Sequence, residues 1–548
     1  MIWRPSLYEP VARPNPLALT VGRREWWWAG FWTLGIALLT SWPYAWGMAL
    51  STADQHFAGS ILGVEDGNAY LAVMQQGRQG DWLFTIAYTP EPHRAEFFFI
   101  FYLLLGRLAA LLQLDLLAVM NAARLAATAF GLLSFYSFAA YFSASLQVRR
   151  LALLLYGFTA GLGWLWLAVG LPADLNAMPV DLWVPDASFF LSALTYPHLT
   201  LAQGLLLWVV IAALRYFESG QGRWWAVGVT AGLLASLIHP YKLVVLSVII
   251  GAYLVWISYR RGAVAWSEGR RWALLVAPSL PYLAYAAWVF ETNFAFKAWR
   301  DQNLLWSPAP QYYLLGFGLA LPLAALGWWH HRRSDRFSFL IVWSLVVPLL
   351  LYFPSVMQRR FLDGYQAVLA LLAAAGLVWL AGRWGRPALT SGLLFIPLSL
   401  TNLLLLLGSL VTLTGRPPAL FHPADQRSAF QWLAEHAARQ EVVLAAYETG
   451  NALPAYAPVK VFAGHGPETY RSDEKRQLVR QFFAAETGEG WQSALLAEYG
   501  VDYVYFGPAE RRLGPAGLTA FPELALSYAN DTVEIYRVRR GSEEALSP

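Results

Sequence analysis

The chain has 548 residues, of which 57% are hydrophobic and 14% charged, and it contains no cysteine. A soluble domain carries about a quarter charged residues, so this composition excludes a soluble enzyme and a disordered chain. The missing cysteines exclude a disulfide scaffold, thiol catalysis and Cys-ligated metals. The formal net charge of +4 comes from cations scattered between apolar runs with no basic stripe, which argues against a nucleic-acid partner.

The charge is unevenly spread. Residues 1–413 hold 44 charged side chains and residues 414–548 hold 30, roughly 11% against 22%, and the second value is ordinary for a soluble domain. The expected fold class is therefore a polytopic α-helical membrane protein, 1–413, followed by a small soluble α/β domain, 414–548. No cleavable signal precedes the first apolar stretch, which reads as an uncleaved anchor.

Twelve apolar stretches follow in chain order: 26–48, 95–113, 119–142, 150–170, 199–217, 224–239, 241–258, 272–291, 309–328, 337–354, 364–382 and 388–413. A crossing takes about 20 apolar residues. One set of connecting loops is short and basic: Arg149-Arg150, Arg215 to Arg223, Arg260-Arg261 to Arg270-Arg271, His330 to Arg333, and Arg383 to Arg386. The positive-inside rule puts these in the cytoplasm, with Arg4, Arg13, Arg23 and Arg24 of the N-terminus. The longer loops 51–94, 171–198, 292–308 and 355–363, and the C-terminal domain, then lie outside the cytoplasm, as expected of a multi-pass inner-membrane protein. Keeping Arg149-Arg150 inside requires that 95–113 or 119–142 not cross. The shorter, 95–113, is the better candidate for a re-entrant or interfacial segment, giving about 11 crossings, with a range up to 13. His239-Pro240-Tyr241-Lys242 interrupts a long apolar run, because proline lacks the N–H that a helix needs.

Loop 51–94 carries the strongest signal. It includes Glu65-Asp66-Gly67-Asn68-Ala69-Tyr70 and ends its polar stretch with Gly80-Asp81-Trp82. Asp66, Tyr70, Val73 and Gly77 share one helical face, predicting an amphipathic helix over about 66–79 along the membrane surface. The soluble domain reads as helix 425–438, strands 441–446 and 460–463, helix 472–485 with Ser472 as N-cap, and strands 502–506 and 533–538. Asp174, Asp181 and Asp186 read as solvated, with acceptor binding the alternative, His465 to Thr469 as a turn, and Asn530-Asp531-Thr532 as a chance match to a glycosylation triplet.

An acidic pair, a tyrosine four or five positions on, and a short helix ending in Gly-Asp-Trp resemble the first outer loop of the GT-C glycosyltransferases. The closest likeness is to the branch of protein O-mannosyltransferases and aminoarabinose transferase. Tyr70 and Gly80-Asp81-Trp82 match that pattern, while the acidic pair stands as Glu-Asp rather than Asp-Glu. Further along, Pro92-His93-Arg94, His239 to Lys242 and Gln358-Arg359-Arg360-Phe361 take the places of the family's basic and helix-breaking segments. The resemblance implies transfer of a sugar from a polyprenyl-phosphate donor to a lipid, glycan or protein acceptor on the outer face, with inversion. Asp66 is the expected general base and Glu65 the second candidate, since an acceptor hydroxyl needs a base to take its proton. Tyr70, Arg94, His239, Lys242, Arg359 and Arg360 are the expected substrate-binding residues, the cations aimed at the departing lipid phosphate. The scheme requires no cofactor; a divalent metal, which some relatives use, has only scattered carboxylates to hold it. The alternative is a transporter or lipid flippase. It predicts paired broken helices and mid-membrane charges, whereas here the charges gather at the outer surface.

Overall fold

The structure is a computed structural model that describes residues 21–384, 387–484, 488–514 and 522–539. Arg4, Arg13 and Arg386 of the basic clusters, and Ala485 at the expected end of a helix, lie outside the described residues.

All twelve apolar stretches carry helix. Among the described residues seven helices are long and apolar enough to cross a membrane: Leu116–Phe142, Leu146–Ala168, Pro197–Ser219, Tyr241–Arg261, Trp266–Thr292, Gln358–Arg383 and Gly392–Thr414. The pair Pro310–Phe317 and Ala320–His331, bent by 79°, makes eight if counted as one span. Helix Ile100–Leu112 has 13 residues, about 20 Å at 1.5 Å per residue, against a hydrocarbon core of about 30 Å. It is too short to cross unaided, in line with the reading of 95–113. The joint at His239 and Pro240 is a break: helix Gly222–Ile238 ends at an extended His239, and Pro240 starts helix Tyr241–Arg261.

Pro197–Ser219 and Tyr365–Arg383 are apolar on every side and are enclosed by the other helices, as all-round apolar helices must be. Phe135, Tyr156, Phe189, Leu207, Trp343 and Leu371 are among the buried side chains between them. Two helices cross at backbone distance where glycines meet. A Cβ on Gly327 would stand 1.9 Å from the Leu372 carbonyl oxygen, and one on Gly376 would stand 2.1 Å from that of Leu323. Small residues serve this purpose in membrane helix packing.

The C-terminal segment opens with strand β2 (Phe421–Pro423), which pairs antiparallel with β1 (Gln55–Phe57) of the first loop. The remaining strands are β3 (Val442–Leu444), β4 (Lys460–Val461), β5 (Tyr503–Phe506), β6 (Leu524–Ala529) and β7 (Glu534–Val538). They form one sheet in the order β4-β3-β5-β7-β6, parallel from β4 to β5 and antiparallel thereafter. Side chains alternate across it. Val442, Leu444, Val504 and Phe506 face a core with Val479 and Phe482 of helix Ser472–Phe483. Val443, Tyr503 and Tyr505 face the other way, into a cluster that continues through Phe430 to Leu71, Met74, Tyr102 and Leu103. The sheet is thus fused to the first loop through a shared apolar core.

Two expectations are corrected, at Ser472 and at Asp181 and Asp186, and the triplet at Asn530 is given its structural place. The N-cap of helix Ser472–Phe483 is Arg471, at φ 54, and Ser472 is its first helical residue. Asn530 builds the β6–β7 turn, its Oδ1 accepting from the Thr532 and Val533 amides and its Nδ2 donating to the Asp425 carbonyl. Asp181 and Asp186 are buried rather than solvated; Asp181 Oδ2 accepts the Gly161 and Gly163 amides at 2.8 and 3.1 Å.

Candidate active site at the first loop

The first-loop helix runs Val64–Arg78, two residues earlier than the spacing predicted at its start. Gly77 and Gly106 let it sit against Ile100–Leu112 at backbone contact, where a Cβ on Gly106 would fall 1.9 Å from the Met74 carbonyl oxygen. Its other side packs into the cluster with Leu453 and Ala455 of the C-terminal segment. The helix is therefore wedged between two structures rather than laid on a membrane surface with one face free. Its first turn carries Glu65 and Asp66, where the helix dipole favours negative charge.

Tyr70 lies one turn below Asp66. Its ring stacks on Tyr102 at 4.5 Å and meets Tyr196 and His198 edge-on at 4.8 and 4.9 Å. Tyr102 shares a 2.7 Å hydrogen bond with His198 Nδ1, and His198 in turn meets His239 at 5.1 Å between ring centres. This aromatic column links the first-loop helix to the break at His239.

Behind the column stand the cations. Arg360 Nη1 donates to Asp186 Oδ2 at 3.2 Å. Asp186 and Asp66 are the carboxylates whose charge reaches Arg360. Arg359 lies over the Trp183 ring at 4.4 Å and is also acted on by Asp186 and Asp66. Lys242 is enclosed and ion-paired with Asp363, their side chains 1% and 4% exposed. Its charge is matched within the protein, so it backs the site rather than opening onto it. Arg94 is turned elsewhere: it lies 5.1 Å from the Trp288 ring centre, 3.7 Å from Glu96 and 3.4 Å from the Thr292 hydroxyl. The structure thus gathers Glu65, Asp66, Tyr70, His239, Lys242, Arg359 and Arg360 around one region and leaves Arg94 at its margin.

Sequence reasoning missed the partners that come from far along the chain. His465 Nε2 stands 3.3 Å from Asp66 Oδ1. Glu65 Oε1 accepts from the Tyr447 hydroxyl and from the Gly466 amide. The turn 465–469 exists as expected, with the Thr469 amide donating to the His465 carbonyl at 2.9 Å. It is more than a turn, because it presses on both carboxylates. Burial disfavours a charged His465, but Glu468, Asp66 and Glu65 outweigh it and hold the ring up at about 9. Burial also pushes the Glu468 carboxyl up, with His465 pulling against it. No signal in a single sequence joins positions about 400 residues apart. Asp363 did leave a trace, as an acid beside Arg359-Arg360 at the edge of an apolar run, where an isolated charge is costly. Among the described residues no group of three His, Cys, Asp or Glu side chains is placed to hold a metal ion.

The whole arrangement, a helical bundle with an acidic first-loop helix capped by a C-terminal sheet, has relatives among solved structures. The oligosaccharyltransferase of Archaeoglobus fulgidus, tethered to an acceptor peptide, aligns with 94% of this chain and 74% of its own at TM-score 0.52 and 13% identity. ArnT from Cupriavidus metallidurans, in the apo state, aligns with 92% of this chain and 97% of its own at TM-score 0.51 and 12% identity. Both are GT-C membrane glycosyltransferases. The chain has the GT-C fold. The mycobacterial arabinofuranosyltransferase AftD shares that fold over 96% of this chain, at TM-score 0.57 and 15% identity, with the match spanning 40% of AftD. No family model and no curated protein matches the sequence itself.

Proposed function

We propose that this GT-C protein is an integral membrane glycosyltransferase that moves a sugar from a polyprenyl-phosphate-linked donor to an acceptor on the extracytoplasmic face. Residues 1–413 form the membrane domain with the N-terminus in the cytoplasm. Residues 414–548 form an extracytoplasmic domain on the side of loop 51–94. One observation carries the reading: on this fold, the first-loop helix presents a solvent-open Asp66 carboxylate one turn from Tyr70, whose aromatic column runs through His198 to His239 at the helix break.

The chemistry pairs that carboxylate with the Arg359-Arg360 cations. The acceptor hydroxyl gives its proton to Asp66 as its oxygen bonds to the anomeric carbon. The bond from that carbon to the phosphate oxygen breaks, and its electron pair leaves on the lipid phosphate. Arg360, with Arg359 beside it, meets the charge that grows there. Only one Arg360 donor is used by Asp186, and a guanidinium has five, so it can hold a phosphate without losing its anchor. Lys242 and Asp363 keep the floor of that region rigid, and His239 contributes a ring nitrogen between the column and the cations. A single displacement of this kind inverts the anomeric carbon. The lipid chain would lie between helices, and the acceptor is a lipid, glycan or peptide.

The test is transfer of radiolabelled sugar from a panel of polyprenyl-phosphate sugars by the purified chain in detergent. Wild type should transfer sugar or hydrolyse the donor, and Asp66→Asn should lose about 1000-fold or more, within the range for removing a general base. Full activity in Asp66→Asn would sink the assignment of the base. Transport of donor lipid across liposomes without any sugar transfer would sink the enzyme reading.

A further inference from the structure

Two neighbouring carboxylates open the first-loop helix, and their surroundings differ sharply. The Glu65 side chain is spent on the C-terminal segment: one oxygen takes both the Tyr447 hydroxyl and the Gly466 amide. Its backbone carbonyl accepts Asn451 Nδ2 at 3.2 Å, and Asn451 Oδ1 accepts Asn68 Nδ2 from the same helix at 2.8 Å. Arg476 stacks over the Tyr447 ring at 3.7 Å and closes this corner. The Asp66 side chain is 56% exposed, and among the described residues its hydrogen-bonding side-chain partner is His465.

His465 is held with unusual care for a residue in a turn. Its side chain is 4% exposed. The Glu468 amide points at Nδ1 from 3.3 Å, which in the neutral ring leaves the proton on Nε2, toward Asp66. Tyr88 lies over the ring at 5.4 Å, and the Thr469 hydroxyl accepts the His465 amide at 3.2 Å. From the helix Phe294–Gln302, Gln302 Nε2 donates to the Pro467 and Thr469 carbonyls at 2.9 Å each. Nothing in this set makes sense as support for a solvated loop. It fixes an imidazole against one carboxylate oxygen and leaves the other, Oδ2, open.

We propose that the two carboxylates divide the work: Glu65 is a latch that docks the 464–469 turn, and His465 is a positioning residue that aims Asp66 at the acceptor. The proposal rests on Asp66 being the base. It makes the C-terminal segment part of the active site, because the base has its working geometry only when that turn is docked. The groups facing His465 are Asp66 and Glu65 from the first-loop helix, Glu468 from its own turn and Tyr88 from the loop after that helix; Tyr447 and Arg476 stand beyond Glu65. Three of them are carboxylates, and their negative charge strengthens the Nε2–H bond to Asp66. A support of this type sets orientation and leaves ground-state binding alone, as for the outer partners of other reactive side chains.

The test uses the full chain in detergent with the donor that wild type turns over. His465→Leu should lower kcat about 10- to 100-fold with donor KM unchanged, and His465→Gln, which keeps an N–H donor, should recover to within about threefold of wild type. Glu65→Gln should lose less than about tenfold, far short of Asp66→Asn. A His465→Leu variant with wild-type kcat, a failure of Gln to rescue, or a Glu65→Gln variant as inactive as Asp66→Asn would each overturn the division. Hydrogen exchange provides an arm independent of turnover. Glu65→Gln and His465→Leu should both speed exchange of the 464–469 amides while the bundle helices stay protected; unchanged exchange in that turn would overturn the latch. If Asp66→Asn retains activity while those amides still loosen in the Glu65 variant, the base has failed and the latch stands.

Discussion

The helical bundle and the junction between the first loop and the C-terminal sheet are held together by opposite means. In the bundle, contact comes from apolar packing and glycine crossings, with Gly327 against Leu372 and Gly376 against Leu323. Charged groups there are few, and Lys242 and Asp363 are paired with each other. At the junction, charged and hydrogen-bonded contacts surround a smaller apolar core: Lys475 with Glu91 at 2.7 Å, Arg439 with Asp81, Glu65 with Tyr447, and Asp66 with His465. The difference teaches where chemistry is affordable. A membrane helix that exposes an unpaired charge is costly, whereas a junction at the water boundary can present one carboxylate to solvent while its neighbours are satisfied.

That comparison can be broken from either side. The largest effect should come from the junction, where Asp66→Asn is expected to lower turnover about 1000-fold or more while thermal unfolding in detergent stays near that of wild type. The bundle should show the reverse. Asp363→Asn leaves the Lys242 ammonium enclosed without its counter-charge, and removing one partner of a buried pair costs about 3–5 kcal/mol. A fall in melting temperature would register this, and an unchanged melting curve would show the pair to be solvated.

The third prediction concerns pH. His465 is held up at about 9 in the folded chain against an ordinary 6.5. Its contribution to docking is therefore complete below pH 6.5 and is lost as pH rises through about 9. Protection of the 464–469 amides, with exchange corrected for its intrinsic base-catalysed rise, should fall across that window in wild type and change little in His465→Leu. The smallest effect is expected at Arg439 and Asp81, an exposed pair on the same junction. Arg439→Ala should shift stability by less than about 1 kcal/mol; a larger loss would mean that this edge of the junction carries more of the docking than the latch does.

Much of the architecture was legible along the chain. Apolar length marked the helices of the bundle and proline marked the break at 240; the helix inside 95–113 has 13 residues. The spacing of Asp66, Tyr70, Val73 and Gly77 foretold the first-loop helix, and short runs rich in Val, Ile or Tyr foretold strands β3, β5 and β7. The burial of Asp181 and Asp186 was not legible, since an aspartate in a loop looks the same whether it faces water or caps Gly161 and Gly163.

Sequence alone determined what each segment could be, because hydrophobic length and local periodicity are properties of neighbours in the chain. It also placed two carboxylates and a tyrosine on one short helix. Tertiary structure decided which carboxylate is free. Tyr447, His465 and Gly466 reach Glu65 and Asp66 across about 400 residues of chain. Whether a carboxylate is satisfied or left open depends on donors that only the folded junction brings within hydrogen-bonding distance.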